Sequence, residues 1–208
     1  GDYADRAPLL SGLLLATLAG GSQLLALILT YVVLTTSYSL WLKRKLVIDI
    51  CTLAGLYTLR IAAGGIATGI ELSVWFLAFS IFFFLSLAAV KRQAELVDGV
   101  ATGRKQAAGR AYHVDDLPIV SMMALAAGYV SVAVLALYIN SDAVQALYRA
   151  PWMLWGVCPV MLYWLSRMVM MAHRGSVDDD PIVFALRDTT SWICAGLVFA
   201  MVAAGSLL

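Results

Sequence analysis

The sequence predicts an all-α, polytopic membrane helix bundle, and three observations carry that expectation. Of its 208 residues 62% are hydrophobic and 13% charged, whereas a soluble domain is about half apolar and about a quarter charged. The apolar residues gather into six runs, each near the roughly 20 residues that cross about 30 Å of hydrocarbon at about 1.5 Å per residue. The loops between the runs alternate between basic and almost uncharged.

The chain opens on "GDYADRAP", which has no basic start and no small-residue cleavage site, so no signal peptide is visible. An opening without Met suggests a fragment or a processed chain. An apolar piece, Leu9 to Ala19, precedes Gly20-Gly21-Ser22 and is too short to span a bilayer alone. It reads as a short or truncated helix, or as an interfacial segment. The six spans are expected at about 22–41, 46–66, 72–90, 117–139, 151–172 and 189–208. Lys43, Arg44 and Lys45 lie between the first two spans, and Lys91, Arg92, Arg104, Lys105 and Arg110 follow the third. Arg174 and Arg187 lie between the fifth and sixth. The opposite loops, "TGIEL" and "NSDAVQALYRA", hold a single basic residue, Arg149. The positive-inside rule then places the three basic loops in the cytoplasm and the C-terminus on the far side. Most acidic residues lie in the two long loops of that basic face, so chemistry is expected there.

The third span leaves the membrane through "KRQAEL". Lys91 and Glu95 are four apart on a continuing helix and can pair, with Arg92 one step round. Two readings stand: basic residues snorkelling at a helix end, or a cationic clamp for a phosphate-bearing substrate, with Glu95 orienting it or holding a metal. In "YHVDDLP", Asp116 before Leu117-Pro118 suits an N-cap, and Asp115 with Asp116 also suits magnesium. In "VDDDPIVFALRD", Asp180 before Pro181 is a cap, and Asp178 and Asp179 add acid at a positive helix end. Asp180 and Arg187 share a helix face, and Asp188 adjoins Arg187. Four carboxylates and an arginine exceed what capping one helix requires. Arg60, in "YTLRIAAGG", lies about 22 Å past Lys45 at about 1.5 Å per residue. It reads either as functional or as snorkelling to the far surface, and Asp49 lies on the same helix face. Arg167, inside the fifth span, shares a face with Arg174.

Other classes find no support. A net charge of +1 argues against nucleic acid. Cys51, Cys158 and Cys194 have no metal or disulfide spacing, and His113 and His173 lie in different loops with no second ligand spaced for zinc. No GxSxG, Walker or dinucleotide fingerprint occurs. A non-catalytic bundle, such as a transporter or assembly subunit, is the rival, but the internal repeat a transporter would carry is not visible.

"YSLWLKR" (Tyr38–Arg44), "YTLRIAAGG" (Tyr57–Gly65), "KRQAEL" (Lys91–Leu96) and "DDPIVFALRD" (Asp179–Asp188) together resemble the UbiA prenyltransferase superfamily. The branch they are most similar to is that of decaprenyl-phosphate phosphoribosyltransferase-like proteins. The resemblance covers about Leu24 to Leu208 and implies a nine-helix bundle around a central cavity open to the cytoplasm. The six spans would match its helices four to nine, making residues 1–208 one membrane domain, the C-terminal two-thirds of the bundle. It implies an integral protein of the bacterial inner membrane, a diphosphate-bearing substrate, a polyprenyl lipid and Mg2+. Carried over residue by residue, Lys91, Arg92 and Glu95 would be catalytic. Lys43, Tyr57, Arg60, Asp98, Tyr112, Arg167 and Arg187 would bind substrate, and Asp179, Asp180 and Asp188 would hold metal. The sequence departs from the pattern at Gln93, where a tyrosine is more usual, and in lacking NDxxDxxxD. Asp2, Asp5 and Arg6 have only the look of that motif's tail. The chain is therefore expected to be a portion of a longer enzyme, or an inactive relative.

Overall fold

The computed structural model describes residues 7–103, 110–177 and 180–207, with side chains described from residue 21. Asp2, Asp5, Arg6, Arg104, Lys105, Asp178, Asp179 and Leu208 lie outside the described residues or side chains. The helices are α1 (Ala7–Leu40), α2 (Ile48–Thr68), α3 (Val74–Ala101), α4 (Leu117–Ile139), α5 (Asp142–Leu147), α6 (Val157–His173), α7 (Pro181–Arg187) and α8 (Thr189–Leu207).

Among the described residues six stretches are long and apolar enough to cross a membrane: Gly21–Leu40, Ile48–Thr68, Val74–Ala101, Val114–Ile139, Pro151–His173 and Thr189–Leu207. They match the expected spans within a few residues, except that α3 runs on to Ala101. The extension "KRQAELVDGVA" is rich in strong helix formers, and its Arg92, Gln93, Ala94, Leu96 and Gly99 are buried. The N-terminal apolar piece belongs to α1, which breaks at Gly21, where φ is 63° and ψ −154°. A positive φ of that kind suits a residue without Cβ.

Turn chemistry sets the other boundaries. The Ser73 hydroxyl accepts from Trp75 N–H at 3.2 Å to open α3, and left-handed Gly69 closes α2. Asp180 caps α7 as expected, its Oδ1 accepting from Ile182 N–H at 2.9 Å. Asp116 does not cap α4. A 3-10 turn, Val114–Asp116, precedes that helix, and Asp116 Oδ2 closes it by accepting from His113 N–H at 2.9 Å. The acceptor is spent one turn early.

Helix α3 is the central post and packs on α2, α4, α6 and α7. Small residues make the close approaches possible. Ala88, Ala89, Ala94, Ala124 and Ala172 sit in one core cluster around Ile50, Val90 and Leu96. A Cβ on Gly128 would come 3.0 Å from Ser86 Oγ, and that hydroxyl donates to Ala124 O at 2.7 Å, tying α3 to α4. A second cluster around Val132, Ile139, Leu154 and Leu165 fills the opposite end. Large apolar side chains such as Val33, Leu137 and Phe199 point outward, as a lipid-facing surface requires.

Candidate functional site

Most of the expected polar residues converge on the end of the bundle where α1, α3 and α6 finish and α2, α4 and α8 begin. Three constellations form there, and α3 supplies two of them.

The first is buried. Arg92 is wholly enclosed, at 0% exposure, as is Asp49. Arg92 Nε lies 3.0 Å from Asp49 Oδ2, and Arg92 Nη1 meets Glu95 Oε2 one turn along α3. Arg110 closes the ring, with Nη1 3.1 Å from Asp49 Oδ1 and Nε 3.2 Å from Glu95 Oε2. Tyr38 at the end of α1 donates its hydroxyl to Asp49 Oδ1 at 2.9 Å. Tyr112, 1% exposed, lies under the Arg92 guanidinium, 5.8 Å from ring centroid to Cζ. Its hydroxyl accepts from Val47 N–H at 3.0 Å. Two arginines and two carboxylates balance in charge, as burial demands. Burial works against the Arg110 charge. The Tyr38 hydroxyl and the Glu95 and Asp49 carboxylates outweigh it and raise its pKa above the ordinary guanidinium value. Burial pushes the Tyr112 phenol up. Among the described residues Arg92 Nη2 and Gln93 Oε1 find no hydrogen-bond partner, although Gln93 Nε2 donates to Val169 O at 3.2 Å.

The second constellation is half-open. Lys91 Nζ lies 3.0 Å from Asp180 Oδ2, and each side chain is 30% exposed. The expected Lys91–Glu95 pairing is not made, because Glu95 faces the two arginines while Lys91 turns to α7. The pair lines a narrow cleft of about 30 Å3 with Leu53, Tyr57, Phe84 and Ile182. Tyr57 and Phe84 stack there with centroids 5.0 Å apart. Burial opposes ionisation of Asp180, but Lys91 and the Ile182 N–H hold its carboxyl below the usual value.

In the third, Arg167 of α6 grips Asp188 with two parallel bonds, Nη1 to Oδ2 at 2.7 Å and Nη2 to Oδ1 at 3.0 Å. Asp188 Oδ2 also accepts from Ser191 N–H and Oγ, each at 2.8 Å, which caps the start of α8. Burial alone would raise the Asp188 pKa; Arg167 and Ser191 lower it. Between the second and third constellations lies an apolar groove of about 300 Å3, walled by Phe83, Trp164, Trp192 and by Ile182, Ala185 and Leu186 of α7.

The structure leaves other expected residues apart. Arg60 is exposed, whereas Asp49, on the same face of α2, is enclosed. Arg60 donates from Nε to the Tyr31 hydroxyl at 3.0 Å and lies over the rings of Tyr31 and Tyr57. Lys43 is partly buried in the 3-10 turn after α1, Arg187 is exposed at the end of α7, and Asp98 is exposed on α3. Asp180 and Asp188 flank α7, each given to a cation, and Asp179 lies outside the described residues. Among the described residues no group of three or more acidic, His or Cys side chains gathers as a metal site. Sequence reading missed Tyr38, Asp49 and Arg110 as one unit. The signal was present in Asp49, an acid at the start of a span whose same-face arginine, Arg60, lies three turns away, so its counter-ion must come from another element.

No family model matches the chain. It is 36% identical to the nodulation protein NoeC of Azorhizobium caulinodans over 186 residues, 87% of this chain and 61% of NoeC. It is 36% identical to the y4nM protein of Sinorhizobium fredii over 170 residues, 81% of this chain but 33% of that protein. The chain thus spans less than two-thirds of either relative. A decaprenyl-phosphate phosphoribosyltransferase of Mycobacterium tuberculosis shares 41% identity over 91 residues, 42% of this chain and 30% of the enzyme. With six helices apolar enough to span a bilayer, the chain is a helical integral membrane protein that is similar, over part of its length, to a polyprenyl-phosphate-dependent transferase.

Proposed function

We propose that this chain is the membrane-embedded part of a UbiA-type transferase that moves a phosphoribosyl or prenyl group from a diphosphate donor, with a polyprenyl lipid as its second substrate. The observation that supports it best is the Lys91 cleft. A half-exposed ammonium stands beside stacked aromatic side chains, next to an apolar groove suited to a lipid tail. The partial similarity to decaprenyl-phosphate phosphoribosyltransferases agrees with it. In the phosphoribosyl reading, a lipid phosphate oxygen bonds to the ribose carbon as the bond to diphosphate breaks. Negative charge grows on the departing oxygens, and a fixed cation there lowers the barrier. Lys91 takes that role. Arg92, enclosed by Asp49 and Glu95, positions the end of α3 rather than touching substrate. The active face is cytoplasmic in the bacterial inner membrane, by the positive-inside rule.

Magnesium would supply further charge to a diphosphate, but the described residues do not fit it, because Asp180 and Asp188 are each committed to a cation. No step is drawn through the metal.

The test uses membranes carrying the full-length protein, labelled phosphoribosyl diphosphate or prenyl diphosphate, and polyprenyl phosphate. Lys91→Ala should cut transfer at least ten-fold, about 1.4 kcal/mol of transition-state binding. Wild-type transfer by Lys91→Ala, or no transfer of either group by the wild type, overturns the reading.

A further inference from the structure

The Lys91 cleft is narrow, about 30 Å3, and its ammonium is already paired. What fills the anion position is Asp180 Oδ2, 3.0 Å from the ammonium. Asp180 is also the N-cap of α7, so the ion pair that occupies the cleft fixes one end of that helix.

The other end is fixed more strongly. Asp188 combines a two-pronged bond to Arg167 with both polar hydrogens of Ser191. Trp192 Nε1 donates to Leu186 O at 2.9 Å beside it. Between the two ends α7 is held by buried Pro181 and by Phe184, which packs on the core cluster. It turns Val183 and Leu186 outward, while Ile182 walls both the cleft and the apolar groove.

We propose that Asp180 is an internal stand-in for a phosphate: an incoming phosphate displaces it from Lys91, frees the N-terminal end of α7 and lets the helix swing about Asp188, opening cleft and groove together. This rests on the reading that Lys91 meets a phosphate. A dianionic phosphate offers an ammonium more charge and more acceptor oxygens than a single carboxylate. The device would couple widening of the groove to the arrival of a phosphorylated ligand.

Cys194 lines the groove facing α7 and is buried, so its rate of maleimide modification reports the opening. The full-length protein, with its other cysteines replaced by alanine, is placed in nanodiscs of neutral lipid. Inorganic diphosphate in one arm and a polyprenyl phosphate in the other should each be tried. At least one should speed modification of Cys194 five-fold or more, and the arm that does so identifies whether donor or lipid headgroup is the displacing group. Asp180→Asn and Asp180→Ser both keep an N-cap acceptor while removing the charge. Each should give the fast rate without any anion and show no further response. Slow modification in both variants, or an anion effect equal to that of the wild type, overturns the proposal. So does a wild-type rate that neither anion changes. The readout needs no turnover. An anion response without transfer leaves the latch and removes the reaction, and transfer without an anion response does the reverse.

Discussion

Asp49→Ala should be among the most damaging single changes in this chain, and the geometry gives the size. Asp49 sits 3.0 Å from Arg92 Nε and 3.1 Å from Arg110 Nη1, with no exposure of its own. At an effective dielectric of about 20, one such contact is worth about 5–6 kcal/mol of Coulomb attraction. The Tyr38 hydrogen bond adds about 1 kcal/mol. Against these stands the desolvation of the carboxylate itself, several kcal/mol, which the alanine no longer incurs. The remainder is the cost of leaving Arg92 buried with Glu95 as its single carboxylate, about 3–5 kcal/mol for breaking one side of a buried pair. At about 2–4 °C per kcal/mol for a chain of this length, the midpoint of thermal unfolding in detergent should fall by roughly 6–20 °C. The double variant Asp49→Ala/Arg92→Met removes both buried charges and should recover at least half of that loss. A single variant within 2 °C of wild type, or a double variant worse than the single, would refute the argument that this charge ring organises the end of the bundle.

Three further outcomes follow from the same geometry. Arg92→Lys should lower the unfolding midpoint because a point charge cannot reach Asp49 and Glu95 as the planar fork does, whereas Lys91→Arg, at the half-open pair, should leave the midpoint within about 2 °C (under ~1 kcal/mol). Asp188 has its folded pKa depressed, so its contribution is complete above the unfolded carboxyl value near 4 and is lost as pH falls through the lower folded value. A thermal midpoint that declines below about pH 4 in wild type and less steeply in Asp188→Asn checks the sign. Single cysteines placed at Thr102 and Ser176 should react with an impermeant maleimide from the cytoplasmic side and one at Ser141 from the other, and equal labelling of Thr102 and Ser141 defeats the proposed orientation.

The spans were legible because hydrocarbon thickness leaves a mark of fixed length, and only α3 outran its apolar run. The charged residues were legible as candidates but not as partners. Lys91 and Glu95 stand at the right spacing to pair, yet Lys91 turns to Asp180 at the start of α7, and Glu95, besides Arg92 one turn away on α3, turns to Arg110 in the loop before α4. The contacts with Asp180 and Arg110 span 89 and 15 positions of chain, as 91 to 180 and 95 to 110 show, and no helical period encodes them. Asp49 and Arg60 share a face of α2 and both meet tyrosines of α1, Tyr38 and Tyr31, but only Asp49 also lies against Arg92 of α3 and against Arg110. The first is therefore enclosed while the second is exposed. The cap at Asp180 was readable since it needs only the next two residues.

The Arg60–Tyr31 contact bears on how the chain is made. An arginine at the centre of a lone helix costs about 2.5–3.5 kcal/mol on insertion, and α2 carries Asp49 as well. The phenol that accepts from Arg60 lies 29 residues earlier, on α1, so it has already been synthesised when α2 leaves the ribosome. Both aromatic faces over which Arg60 rests, Tyr31 and Tyr57, belong to this pair of helices. The arrangement favours release of α1 and α2 from the translocon as one hairpin, with the arginine already bonded to Tyr31 before α3 is translated.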